Sequence, residues 1–253
     1  MQPSRIGTTT GLLTIWAAGA LAQTPLPPTT VASTLTPFSA AAPGAPPAPW
    51  RVVGLPGNKV PLARVEIGTV DGAPVLSLAT DKSYGSAVHD LPRLASGAGT
   101  VLRWRWKLAQ PLVGADLRTK AGDDAALKVC ALFDMPLDGL ALTERALMRV
   151  ARSVSGEPLP AASLCYVWDA TLPAGTLLPN AFSARVRYLV VNGLETAPGS
   201  WVRHERLLAQ DFRMAFGKEA SGVPPLIAIA VGADSDNTAG RSLGYVGDVT
   251  LAP

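Results

Sequence analysis

Two sets of residues in this chain have types and spacing that could do chemistry. Arg103, Arg105 and Lys107 alternate along one apolar run, and Lys128, Arg185 and Arg187 stand in two others. Residues two apart on a strand share a face. These six, with Arg203, would therefore line one sheet surface if their strands are neighbours. A concave sheet lined this way attracts a carboxylated or phosphorylated ligand. The plainer reading is a solvated outer face balanced by local carboxylates, since exposed sheet faces are polar.

The second set is acidic. Asp123-Asp124 and Asp234-x-Asp236-Asn237 offer hard oxygen ligands at short spacing, which suits Ca²⁺ or Mg²⁺. An EF-hand is excluded, because neither the glycine nor the glutamate of its loop is in place. What stays open is a structural Ca²⁺ in a sandwich loop, or turns in which Asp and Asn bond nearby backbone. Calcium is the one cofactor these residues suggest. Asp123, Asp124, Asp234 and Asp236, with Glu205 and Asp211, are also candidates for glycoside chemistry, which needs two carboxylates roughly 5–9.5 Å apart across a sugar. Glu205 beside Arg206, ahead of Asp211, reads instead as a strand-end salt-bridge network. Other chemistries lack their motifs: there is no Gly-x-Ser-x-Gly, Walker loop, dinucleotide fingerprint, His-Glu-x-x-His or Cys-x-x-Cys. His89 and His204, the two histidines, read as structural.

Stepping outward to the elements that carry these groups, short apolar runs alternate with turn residues from Trp50 onward. Val65–Val70 and Pro74–Thr80 flank Asp71-Gly72, a hairpin signal. Further strands are expected over 101–108, 125–133, 163–168, 184–191, 201–208, 226–231 and 244–251. Many short strands without βαβ alternation mean an all-β antiparallel sandwich of jelly-roll type. Two short helical insertions interrupt it. Residues 140–154 place Leu140, Leu147, Val150, Ala151 and Val154 near one face, which is the face expected to pack. Residues 209–216 end at Gly217. Trp104 and Trp106 share a face with Leu102 and Leu108, so they read as core, with a sugar-stacking platform as the alternative. Cys130 and Cys165 lie in separate strands and form a disulfide only if those strands are neighbours.

The N-terminus is different in kind. No residue from Ile6 to Trp50 is charged. Arg5, the apolar run Gly11–Leu21 and the Ala20-Leu-Ala22 end describe a secretory signal peptide over 1–22. Residues 23–49 contain eight prolines and read as a disordered Pro/Ala/Thr-rich linker, leaving 50–253 as a single sandwich domain. The export signal implies a periplasmic or secreted protein, in an oxidising compartment that permits the disulfide. A formal charge of +3 over 253 residues is too small to support nucleic-acid binding, and the mature chain has no transmembrane segment.

Several strings, in order, resemble one family. They are Trp104-Arg-Trp-Lys107, Gly122-Asp-Asp124, Tyr166-Val-Trp168, Asp211-Phe-Arg213 with Phe216-Gly217, Asp234-Ser-Asp-Asn-Thr238 and Tyr245-Val-Gly-Asp-Val249. Together they resemble the bacterial secreted domain-of-unknown-function family 3047, from about Trp50 to Leu251. The last strand also resembles that of jelly-roll carbohydrate-binding modules. The family resemblance implies a β-sandwich and export, and no activity. The resulting expectation is an exported sandwich that binds a carbohydrate or another anionic cell-envelope ligand, such as an acidic glycan, without catalysis. The alternatives are a polysaccharide hydrolase or lyase using the Asp carboxylates, and a structural domain that docks another protein through a large exposed apolar patch.

Overall fold

The computed structural model describes Met1 and residues 35–252, apart from 98 and 156–158. The signal-like segment after Met1 and residues 23–34 lie outside the described residues. Alternation of apolar and polar residues yields thirteen strands: β1 (Arg51–Val53), β2 (Arg64–Val70), β3 (Ala73–Asp81), β4 (Tyr84–Leu94), β5 (Val101–Gln110), β6 (Leu127–Phe133), β7 (Ala162–Trp168), β8 (Leu177–Pro179), β9 (Val186–Asn192), β10 (Val202–Leu207), β11 (Leu226–Asp234), β12 (Arg241–Val246) and β13 (Thr250–Ala252). Two α-helices are inserted, α1 (Leu142–Ser155) between β6 and β7 and α2 (Leu208–Phe216) after β10.

The strands form two sheets. One has the order β1-β4-β11-β6-β7-β9-β8; the other has the order β10-β5-β12-β3-β2, with β13 also pairing β5. All pairings are antiparallel except β7 with β9. The fold is thus the expected all-β sandwich with two helical insertions. Asp71 and Gly72 both adopt positive φ in the β2–β3 turn, as a tight hairpin requires.

The core lies between the sheets. Leu102, Trp104, Trp106 and Leu108 of β5 point inward, against Leu127, Val129, Tyr166, Trp168 and Leu189 of the other sheet. Trp104 meets Trp106 edge-on, with ring centroids 5.5 Å apart, and lies 5.1 Å from Tyr166. The two tryptophans are core and carry no exposed stacking platform. The seven-stranded sheet has a second apolar layer on its outer face, where Cys130, Cys165, Val167, Tyr188, Val190 and Ala230 are covered by loop residues Leu117 and Leu172. Cys130 and Cys165 stand opposite each other on β6 and β7 and are joined by a disulfide.

Three expectations need correction. First, the folded part begins before Trp50. Phe38 is fully buried and stacks 4.8 Å from Trp50, Leu35 is buried, and the Trp50 indole donates to the Thr36 carbonyl. Gly44 also exchanges two backbone hydrogen bonds with Ile67 at the edge of β2. Residues 35–49 are therefore a strap on the sandwich, because two large apolar side chains anchor a proline-rich segment whose composition alone reads as disordered. Second, α1 packs with the opposite face. Among its described side chains Met148 is the buried one, whereas Leu142, Leu147 and Val150 are 78%, 69% and 60% exposed; of the expected face, Leu140 just ahead of the helix is buried, and the side chains of Ala151 and Val154 lie outside those described. Its inward side is polar: Arg145 donates to the carbonyls of Asp138 and Leu140, Arg152 to Leu159, and Glu144 pairs with Arg185. Third, the closing strand is two strands, β12 and β13, separated at 247–249.

Candidate functional site

The outer face of the smaller sheet gathers a charged and aromatic patch. On β5, Arg103, Arg105 and Lys107 alternate with the buried Leu102, Trp104 and Trp106, so all three point outward. Beside β5 runs β10, whose register sets Arg203 opposite Arg105 and Glu205 opposite Arg103. On the other side β12 sets Tyr245 opposite Lys107.

Arg105 is held in place. Its guanidinium lies 4.7 Å from the centre of the Trp201 ring. On its other flank is Gly247, where a Cβ would stand 2.8 Å from Arg105 Cγ and Nε. The Gly247 amide donates to the Arg105 carbonyl at 2.9 Å, in the break between β12 and β13. Trp201 is itself fixed: its Nε1–H donates to Asp71 Oδ2 at 2.8 Å, and Lys107 Nζ reaches the same oxygen at 3.1 Å. These donors, the indole first, hold the Asp71 carboxyl below the usual carboxylate range. Arg103 pairs with Glu205 at 2.8 Å, which lowers the Glu205 carboxyl in the same way.

Four cations and two carboxylates thus share this half of the sheet, an excess of two positive charges. Arg203 is exposed and has no carboxylate partner among the described residues. Two cations directly opposite on a sheet repel, so Arg105 and Arg203 form a fixed locus of positive potential facing solvent.

The other expected basic residues do not join it. Lys128 is buried on the outer face of the opposite sheet. Arg185 and Arg187 sit at the end of β9 beside α2, where both pair with Glu219, and Arg187 also donates to the Ala215 carbonyl and lies 4.4 Å over the Phe216 ring. These two fasten a helix to the sheet. The expected single basic surface over six residues is therefore three separate places, because β5 lies in one sheet and β6 and β9 in the other.

The acidic residues converge around Lys128. Lys128 Nζ is 2.7 Å from Asp234 Oδ2 and 4.5 Å from the centre of the Tyr84 ring. Burial acts against the ammonium, but Asp234 outweighs it and holds the lysine charged. Asp123 accepts from Asn180, whose amide also donates to Tyr188 Oη, and Asp123 Oδ1 is buried with no partner. Burial first, and then the charge of Asp234, push the Asp123 carboxyl up to about 6.

Oxygens of Asp124, Asp234 and Asp236 come within 4.8 Å of one another, so three of the five expected metal ligands are brought together; Asp123 stands outside the group, and Asn237 turns its amide donor toward Asp124. Their bonding fits Ca²⁺ poorly. Asp124 already accepts the amides of Asn237 and Thr238, the Asn237 side chain and the Thr238 hydroxyl. Asp234 accepts the Ala125 amide on one oxygen and Lys128 on the other. Asp124 therefore clamps the 235–238 loop as a turn-capping carboxylate, and an ammonium stands where a cation would compete.

The remaining candidates are structural. Asp211 accepts from Tyr166 and takes both prongs of Arg206. His204 donates from Nε2 to Asn192 Oδ1, which also receives Trp106 Nε1, and burial pushes the imidazole down to about 4. His89 contacts Trp50 edge-on beneath the N-terminal strap. Sequence reasoning passed over Trp201, Asp71, Tyr245 and Gly247 as site residues. Signals were present: Trp201 shares outward parity with Arg203, and a glycine within a strand pattern marks a bulge or a close approach.

A family model described as "Protein of unknown function (DUF3047)" matches residues 48–250. No curated protein matches. Among solved structures, the K3 adhesin domain of Lys-gingipain from Porphyromonas gingivalis is 14% identical, with a TM-score of 0.38 and coverage of 88% of this chain and all of that one. Endoglucanase Cel12A from Rhodothermus marinus is 11% identical, with a TM-score of 0.41 and coverage of 80% and 95%. Endoglucanase 3 of family GH12 from Trichoderma harzianum is 9% identical, with a TM-score of 0.40 and coverage of 81% and 98%.

Proposed function

The chain belongs to the DUF3047 family, whose description assigns no activity, and from that premise we propose that it is an exported, non-catalytic binding protein for an acidic saccharide of the cell envelope. The ligand lies on the outer face of the smaller sheet. The observation that carries this reading is Arg105, fixed between Trp201 and Gly247 and facing the unpaired Arg203. A guanidinium held in one position loses little freedom when it grips an anion. Tyr245 and the edge of Trp201 supply apolar surface for a sugar ring. Export rests on the signal-like N-terminus. Among the described residues, no helix is long and apolar enough to cross a membrane.

The geometry speaks against hydrolysis by the acidic cluster. Asp123, Asp124 and Asp234 are each 5% exposed or less, so a sugar cannot reach two of them without displacing the covering loops. Retention on an array of acidic glycans tests the proposal. The full chain should bind in a salt-sensitive manner, and Arg105→Ala with Arg203→Ala should abolish retention. Equal retention by the double variant would overturn it.

A second reading rests on α1. Its outward face presents Leu142, Leu147 and Val150 to solvent, an apolar patch of the kind that marks a docking surface. Cross-linking at α1 with and without Leu147→Glu tests it; identical patterns would remove this reading.

A further inference from the structure

Resting on that acidic-saccharide reading, we infer that the group gripped at Arg105 and Arg203 is a dianionic phosphomonoester, in preference to a carboxylate or a sulfate ester. Among the described residues, Arg103, Arg105, Lys107 and Arg203 share this half of the sheet with Asp71 and Glu205, which leaves two positive charges without a counterpart. Arg103 and Lys107 are committed to those two carboxylates, so the excess resides on Arg105 and Arg203.

Their spacing sets the geometry. Directly opposed residues on an antiparallel pair have Cβ atoms about 4.5–5.5 Å apart. One small anion can therefore touch both guanidinium groups. A carboxylate can bond Arg105 with both oxygens and still offer a lone pair to Arg203, but its single charge leaves one of the two positive charges without a counterpart. A phosphomonoester carries a charge of about −1.5 to −2 near neutrality and three terminal oxygens. It can satisfy the fork of Arg105 and still offer an oxygen to Arg203. A sulfate monoester has the oxygens but a single charge.

Rigidity supplies the discrimination. With Trp201 on one side and Gly247 on the other, Arg105 cannot swing away from Arg203 to relieve the repulsion. Asp71 positions that stack through its bond to Trp201 Nε1 and has no role as a ligand. The strand register keeps the two residues opposite each other, and a dianion relieves more of their repulsion than a monoanion does.

The experiment uses the full chain at low ionic strength and slightly alkaline pH, with tryptophan fluorescence and calorimetry as readouts. The probes are glucose 6-phosphate, inorganic phosphate, glucose 6-sulfate and glucuronate. Glucose 6-phosphate should bind about tenfold or more tightly than the sulfate or the uronate, in line with its second charge. Its advantage should shrink as the ester takes up its second proton near pH 6, while Asp71 and Glu205, both held low, stay ionised. Arg203→Gln, an exposed change that leaves the fold intact, should remove the phosphate preference while keeping weak monoanion binding. Parity of inorganic phosphate with the sugar ester would support the dianion site and name the free ion as its occupant. Parity of glucuronate or the sulfate with glucose 6-phosphate would overturn the inference and leave the acidic-saccharide reading standing. No saturable binding of any probe would overturn both.

Discussion

Arg203 lies directly across from Arg105 in the β10–β5 pair, both side chains on the solvent face and neither bound to a carboxylate among the described residues. Like charges in that position destabilise a sheet by roughly 0.2–1 kcal/mol relative to a neutral pair. Arg203→Thr removes the repulsion and adds a good strand former. It should stabilise the protein by about 0.5 kcal/mol, more at low salt than at high salt. Urea melts at two ionic strengths measure this directly. A loss of stability would show that Arg203 makes a contact the structure does not contain.

A second pair of residues sets the response to acid. Asp123 is raised to about 6 and His204 is lowered to about 4. For Asp123, the folded state holds its proton more tightly than the unfolded state does, so its contribution is present below pH 4 and is lost as pH rises through 6. For His204, the unfolded state takes up the proton first, so its contribution is present above about 6.5 and is lost as pH falls toward 4. Each amounts to about 3 kcal/mol at most, and the two oppose each other over the same window. The two slopes therefore have opposite signs between pH 4 and 6.5, and the single variants separate them. Asp123→Asn should lose stability on acidification through that window, and His204→Gln should gain it. Denaturant melts across the window test this, and parallel curves for the two variants would refute the assignment.

Calcium should have little effect. The oxygens of Asp124 and Asp234 are bonded to amides, a hydroxyl and the Lys128 ammonium. A site occupied at a hundredfold excess over Kd would stabilise the fold by about 2.7 kcal/mol. Thermal melts with added Ca²⁺ and with a chelator should coincide. A clear rise with Ca²⁺ would show that the cluster rearranges around the ion.

How far the sequence was legible depends on whether the signal was local. The alternation Leu102-Arg103-Trp104-Arg105-Trp106-Lys107 assigns each side chain of β5 to a face without further information. The Asp71-Gly72 turn is equally local. Lys128 and Arg187 alternate just as cleanly, yet periodicity carries no label for the sheet, and β6 and β9 lie in the other one. The same gap explains α1, whose period marks two faces without saying which packs. There the polar face turns inward because Arg145 and Arg152 satisfy carbonyls next to the helix. β4 lacks a strong apolar run, since Gly85, Ser86, His89, Asp90 and Pro92 interrupt it, and only its position between β1 and β11 makes it a strand. The Trp201–Asp71 bond spans 130 residues and has no local trace at all.

The N-terminal strap offers the sharpest test of where the folded part begins. Phe38 is fully buried against Trp50, which also contacts His89 of β4, and Ser39 bonds both carboxylate oxygens of Asp248 through its amide and hydroxyl. Deleting a buried phenylalanine side chain costs about 3–5 kcal/mol, from lost transfer energy and the cavity left behind. Pro43→Ala, on the same strap, serves as the control for a change in sequence that removes no buried ring. Phe38→Ala should therefore lower stability by about 3 kcal/mol, with the denaturant slope unchanged. It should also make the chain susceptible to proteolysis between residues 35 and 49, because the strap then loses its main anchor. A Phe38→Ala protein as stable as the control would return these residues to the status of a linker and move the start of the domain back to Trp50.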